Sequence, residues 1–390
     1  MQAQGWNGRD RSPLLLGSLS DVRAQSWKGK HGSVLLLGSL SDVRAQSRKG
    51  KHGSVLLLGS LSKVRTQSWR GKYCGALLLA SLSFPIVAAG AAPTREIEIP
   101  KSAAFVTPEG AITVVGYNDM RDILEGIVPL FVAAHPNVRF ALHLKGTRFA
   151  PAALAAGTSA FAPMGGELTP KQLEEYRAAT GDDPLLFRVA HASLSPRALS
   201  GPLAIFVQRD NPLQSINLAQ AARAFAGEAS RWRDLGATGT LAERPIHLYG
   251  LKPETVLGIF AQKNVLHGRA FDKQFVGLAQ STEVVERVAG DSLGIGFAAA
   301  NRGSPSVRAL ALAAGRGDPA VPPTAENILA GRYPLDRFLL IYARRPLLPL
   351  AREFLRLVLS PEGQRVIAES PQGYLPLSAA ELAAERAKVE

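Results

Sequence analysis

GRYPLDRFLLIYARRPLLPLAREFLRLVLSPEGQRVIAESPQGYLPL, residues 331–377, sets a strand, two helices and a closing extended segment in one short run. Apolar residues alternate at Phe338, Leu340 and Tyr342, the period of a buried strand, whereas Phe354, Leu355, Val358 and Leu359 share one helical face. Ser360 before Pro361 marks a break and a restart, because Ser caps a helix and Pro is tolerated in its first turn. The unit reads as the closing element of an α/β lobe.

Working outward, the same alternation of strand and helix recurs. Ile112-Thr113-Val114-Val115 runs into Gly116 and a helix-like stretch over 119–134, and residues 138–144 give another strand before Gly146 and a second helical stretch. Strands alternating with helical patterns imply a mainly parallel sheet covered on both sides. About 300 residues of this kind divide into two domains with one core each.

The formal charge of +13 suggests nucleic acid or an anionic surface, but its distribution removes that suggestion. Residues 1–93 hold 13 Lys/Arg against 3 Asp/Glu, a charge of +10, which leaves only +3 for the rest of the chain. No nucleic-acid partner is expected.

Within the basic front, LLLGSLSDVRAQSWKGKHGSV at Leu14 recurs at Leu35 and Leu56, and its first half at Leu77, a period of 21 residues. Each unit has one short apolar run and then a Gly, Ser and Lys/Arg tract that buries little surface. Residues 1–75 therefore read as a tandem duplication that is disordered or untranslated rather than as a solenoid. In the last copy, Trp69-Arg70-Gly71-Lys72, the uncharged apolar run from Ala76 to Ala89 and the small residues Ala89-Gly90-Ala91 compose a secretory signal over 69–91. The single cysteine, Cys74, precedes that run, so neither a lipid anchor, a disulfide nor a Cys-ligated zinc is expected in the exported chain.

Strands that end in Gly turns and open helices present backbone N–H groups and a positive dipole end to an anion. Three turns qualify: Gly116-Tyr117-Asn118-Asp119, Gly146-Thr147-Arg148-Phe149, and 250–255, which ends in Thr255. Asn118, Asp119 and Thr147 are equally ordinary N-cap types, so a ligand reading and a capping reading compete at each. Arg148 can grip an oxyanion through two parallel hydrogen bonds, or simply be solvated. Gly165-Gly166 brings backbone close to a ligand, or is a loop pair.

The 331–377 segment resembles the C-terminal part of bacterial solute-binding proteins of the phosphate ABC-transporter (Pst) type, where a YPL-x-R-x-L-x-IY strand precedes a helix and SPEGQ-x-VI. SGPLAIFVQRDNPL at 200–213 resembles the strand by which these proteins cross between lobes, and AFAGEASRWRDLG at 224–236 the segment that follows it. With 144–176 matching a further strand, Gly-rich turn and helix, the resemblance spans about 112–377. It implies an α/β, two-lobed type II periplasmic binding protein fold with mainly parallel sheets and a two-strand hinge. Lobe one would be 112–199 plus 307–377, lobe two 201–304, and 378–390 a tail forming a surface helix.

The resemblance further implies capture of inorganic phosphate or a related oxyanion in the periplasm, for delivery to ABC transporter membrane subunits. The anion contacts would be Asn118, Asp119, Thr147, Arg148, Phe149, Gly165, Gly166 and Thr255. Two departures stand against it. Relatives carry an aspartate in the turn matched by Ala160, and an Arg followed by Ser-Gly-Thr where this chain has Leu248-Tyr249-Gly250-Leu251-Lys252-Pro253-Glu254-Thr255. These losses motivate the alternative of an interaction or regulatory module that keeps the lobes without transport. With no HExxH, GxSxG or GxxxxGK[ST] pattern, neither an enzyme nor a metal or other cofactor is expected.

Overall fold

The computed structural model describes residues 96–390 and, ahead of them, the backbone of six short strands; the chain divides into two compact units, Met1–Ala88 and Ala89–Glu390. In the first unit, β1 (Leu14–Leu16), β3 (Gly32–Leu37) and β5 (Gly53–Leu58) form one parallel sheet, and β2 (Val22–Gln25), β4 (Val43–Gln46) and β6 (Val64–Thr66) another. The registers pair Leu14 with Leu35, Leu35 with Leu56 and Val43 with Val64, one repeat apart each time. The expectation of a repeat region without regular structure differs from this pairing. Near-identical copies set each backbone donor opposite an acceptor one copy on, a ladder that needs no deep core. The signal segment and Cys74 lie outside the described residues.

The second unit holds two large hydrophobic cores, one per lobe, and a smaller cluster around Leu154, Met164, Tyr176 and Tyr342. In the first lobe β7 (Ile112–Val115) and β8 (Phe140–His143) pair in parallel around α1 (Arg121–Ala134). Farther along come α2 (Ala150–Ala155), β9 (Ala162–Met164), α3 (Pro170–Thr180) and β10 (Leu185–His191). The second lobe begins with β11 (Leu203–Gln208), β12 (Ser215–Asn217) and α4 (Leu218–Phe225), then β13 (His247–Leu251), α5 (Val256–Asn264), β14 (Val276–Leu278), α6 (Ser281–Ala289) and β15 (Gly294–Ala299). It is completed by β16 (Val307–Ala309), β17 (Ala311–Ala313) and α7 (Ala325–Leu329). The chain then returns through β18 (Phe338–Ala343), α8 (Pro349–Val358) and α9 (Pro361–Ala368), and ends in α10 (Ala379–Ala387).

The expected strand and helix pair of 331–377 is present as β18, α8 and α9, with the Ser360 hydroxyl accepting the Gly363 N–H at 3.1 Å as a cap. Leu350, Ala351, Phe354, Leu355 and Val358 turn one face of α8 into the first core, where the Phe354 ring stacks on Phe161 at 4.5 Å. A second aromatic cluster, Phe225, Phe271, Phe275 and Phe297, fills the other lobe.

Two expectations need correction. The sheets are mixed rather than mainly parallel: β13 runs parallel to β14 and β15, but β11 is antiparallel to β15 and β16, and β18 is antiparallel to β10 and β9. The cause is the double crossing, since the strand that leaves a lobe lies beside the strand that re-enters it in the opposite sense. The second lobe also does not stop at 304. Val307, Leu310, Leu312, Ile328, Tyr333 and Leu335 belong to its core, because β16 extends the sheet beside β11 and β17 pairs with β12. The return crossing therefore lies between Leu335 and β18. The tail helix α10, capped by Ser378, is docked rather than lying free on the surface, with Glu385 and Val389 buried.

The crossing segments are tied together. Leu203 N–H donates to Leu335 O at 3.0 Å and Ala192 N–H to Arg337 O at 2.7 Å, and the Tyr333 hydroxyl donates to Leu203 O at 2.9 Å. These bonds make the two-strand hinge.

Candidate functional site

The first Gly turn sits where β7 ends. Tyr117 N–H donates to Pro163 O at 2.9 Å, and a single 3₁₀ turn over Asn118–Met120 leads into α1. Asn118 is exposed, but Asp119 is buried and its Oδ2 accepts the Leu199 N–H at 2.7 Å and the Tyr374 hydroxyl. That carboxylate is spent on fastening the outgoing crossing to the first lobe.

At the second turn the Thr147 hydroxyl accepts the Gly165 N–H at 3.3 Å, which links it to the Gly165-Gly166 pair. Arg148 is exposed and lies over its neighbour Phe149, 4.6 Å from the ring centroid, with Phe149 itself 43% exposed. At the third, Thr255 Oγ1 accepts the Gly258 N–H at 3.0 Å as the cap of α5 and donates to Lys252 O at 2.7 Å. Its hydroxyl proton is thereby used within the turn, as the capping reading holds.

Gly165 and Gly166 are the point where the lobes meet. A Cβ on Gly165 would stand 2.5 Å from the Tyr117 ring, and one on Gly166 would stand 2.6 Å from Val256 Cγ1, a side chain of the other lobe, so only glycine permits this approach. Beside this contact Lys263 of α5 forms an ion pair with Glu167 of the first lobe, closing the cleft at its surface.

A residue that the sequence reading missed stands behind the glycines. Arg337, on the return crossing, is 6% exposed; its Nη2–H donates to Gly165 O at 2.8 Å and its Nη1–H to Gly201 O at 3.1 Å. Phe260 of α5 faces it at 5.6 Å. Burial pushes its pKa down, which the negative charge of Asp336 and Glu167 counters only in part. The Tyr117 hydroxyl lies beside those of Ser200 and Tyr374, and burial raises the pKa of Tyr117 and of Tyr374. The signal in the sequence was the Arg of the YPL-x-R-x-L-x-IY pattern, one step before the buried strand Phe338–Ala343.

A cavity of about 440 Å³ opens elsewhere, on the second lobe around Asn217, Gln220, Gly236 and Asp318, and none of the candidate residues lines it. Among the described residues no group of three or more His, Cys, Asp and Glu side chains is placed to hold a metal ion, and no helix is long and apolar enough to cross a membrane.

The profile of the PBP superfamily domain matches residues 87–362. The phosphate-binding protein PstS of Pseudomonas aeruginosa is 30% identical over 305 residues, 75% of this chain and 91% of that protein, in each of two strains. The chain thus belongs to the periplasmic binding protein superfamily and, within it, to the Pst-type substrate-binding proteins of phosphate ABC transporters. Solved structures that resemble it include PstS from Borrelia burgdorferi, 16% identical over 69% of this chain and 99% of that one with a TM-score of 0.49. Another is an ABC-type phosphate transport receptor from Vibrio cholerae, 18% identical over 68% and 99%, with a TM-score of 0.48.

Proposed function

We propose that this protein captures inorganic phosphate or a closely related oxyanion between its two lobes, in the periplasm, and delivers it to the membrane subunits of an ABC importer. The observation that carries the reading is the match to a phosphate-binding protein along 91% of that relative, together with the superfamily profile that runs from 87 to 362, across both crossings. The architecture supports it: two cores joined by a two-strand hinge can part to admit a small ligand and close over it. The backbone turn at Gly165-Gly166 and the donors around it supply hydrogen bonds rather than reactive groups, as capture without chemistry requires.

Calorimetric titration of ligand-stripped protein with phosphate and then sulfate tests this. Micromolar or tighter phosphate binding is the expected result, and no heat from folded protein with either anion refutes it. One observation favours a second reading as an interaction module: Asp119 is spent on Leu199 and Tyr374, Thr255 on capping and Arg148 on stacking over Phe149, which leaves three of the expected anion contacts engaged elsewhere. Indifference to every small anion, with retention of a protein partner, is the outcome that reading requires.

A further inference from the structure

We infer that Arg337, carried on the return crossing rather than on a turn of either lobe, is the cation that grips the bound oxyanion. The inference rests on the oxyanion-capture reading and names the residue that reading lacks, since Arg148 is exposed and lies over Phe149 and Lys252 is exposed.

The argument begins from charge balance. A guanidinium buried to 6% exposure is costly unless an anion compensates it, and burial already lowers its pKa. The carboxylates near it make no hydrogen bond to it, although Asp336 Oδ1 is buried without a partner. Asp119 accepts from the Leu199 N–H and the Tyr374 hydroxyl, Asp336 turns its Oδ2 to His191 at 2.6 Å, and Glu167 pairs with Lys263. Arg337 is left with two carbonyl oxygens.

Donor count gives the second step. Arginine has five N–H groups, and two of them are used, on Gly165 O and Gly201 O. The remaining ones suit an oxyanion, which a guanidinium engages through parallel hydrogen bonds. Around it stand side-chain-free Gly165 and Gly166, the Tyr117 hydroxyl, Ser200, whose hydroxyl donates to Gly165 O at 3.1 Å, and Val256 and Phe260 from the opposite lobe. Because the cation sits on the hinge, its neutralisation is felt where the lobes turn. Ligand charge and closure are then coupled through one side chain.

The test is calorimetric titration of the full chain with inorganic phosphate. Losing a charged partner of this kind weakens phosphate binding roughly 100-fold in R337Q, with a smaller loss in R337K. Phosphate affinity in folded R337Q within twofold of the parent overturns the inference, as does loss of binding in R148Q with R337Q unaffected. Should R337Q fail to fold, arginine-labelled parent protein is read by NMR, with the Arg337 guanidinium resonance assigned through R337K. Its displacement by phosphate supports the inference, and a resonance unmoved at saturating phosphate overturns it. No heat from the folded parent with phosphate or sulfate sinks the capture reading itself, a result visible before any variant is made.

Discussion

His191 shows how a single side chain can tie the hinge to the end of the chain. Its Nδ1 lies 2.6 Å from Asp336 Oδ2 on the return crossing and its Nε2 lies 3.0 Å from Glu381 Oε2 on α10, so both ring nitrogens face carboxylate oxygens. Both can donate only when the ring carries its second proton. Burial opposes that proton, but the two carboxylates outweigh burial and raise the pKa above the ordinary value of 6.5. A raised folded-state pKa confers stability that is complete below the unfolded value and disappears as pH climbs through the folded one. Burial raises the pKa of Asp336, against the hydrogen bond and the charge of His191. The urea midpoint should therefore fall as pH rises above about 6.5, and H191N should lose that part of the dependence. Identical pH profiles for the two proteins would refute the assignment. Asp119 makes a simpler case. Replacing it by Ala leaves the Leu199 N–H and the Tyr374 hydroxyl without their buried acceptor, with an expected loss of about 2–3 kcal/mol in denaturant unfolding.

At the scale of elements, what could be read in advance depended on whether the signal was local. Ser360-Pro361 and the apolar spacing of α8 are local, and both helices stand where the sequence put them. The return crossing was not legible, because β16 and β17 are three residues each and their reason for existing is a pairing with β11 and β12 roughly a hundred residues earlier. Arg337 was hidden for the same reason, its burial being supplied by Gly165, Gly201 and Phe260 from distant stretches. Thr255 could be read two ways since a cap and an anion contact use the same residue type. T255A should cost α5 about 1 kcal/mol, measured by chemical denaturation. Truncating the fully buried Phe354 to Ala removes its ring contacts with Phe161 and Phe131 and should cost about 3–5 kcal/mol.

For the molecule as a whole, the Lys263–Glu167 pair is a contact between lobes that is open to water, with side chains 60% and 48% exposed. Such pairs contribute about 0.2–1 kcal/mol and are screened by salt. If the lobes close over phosphate, K263Q should speed phosphate release by no more than about fivefold at low ionic strength, a difference that fades near 1 M salt, as stopped-flow measurement can check. The hydrogen bond from Leu203 N–H to Leu335 O also has a bearing on the order of assembly. It brings the two ends of residues 203–335 together, so everything in that core is contiguous in sequence, whereas the first core needs Phe131 and Phe354 at once. A ribosome finishes the inner module while the outer one still lacks β18 and α8. The part written second is the first that can be complete.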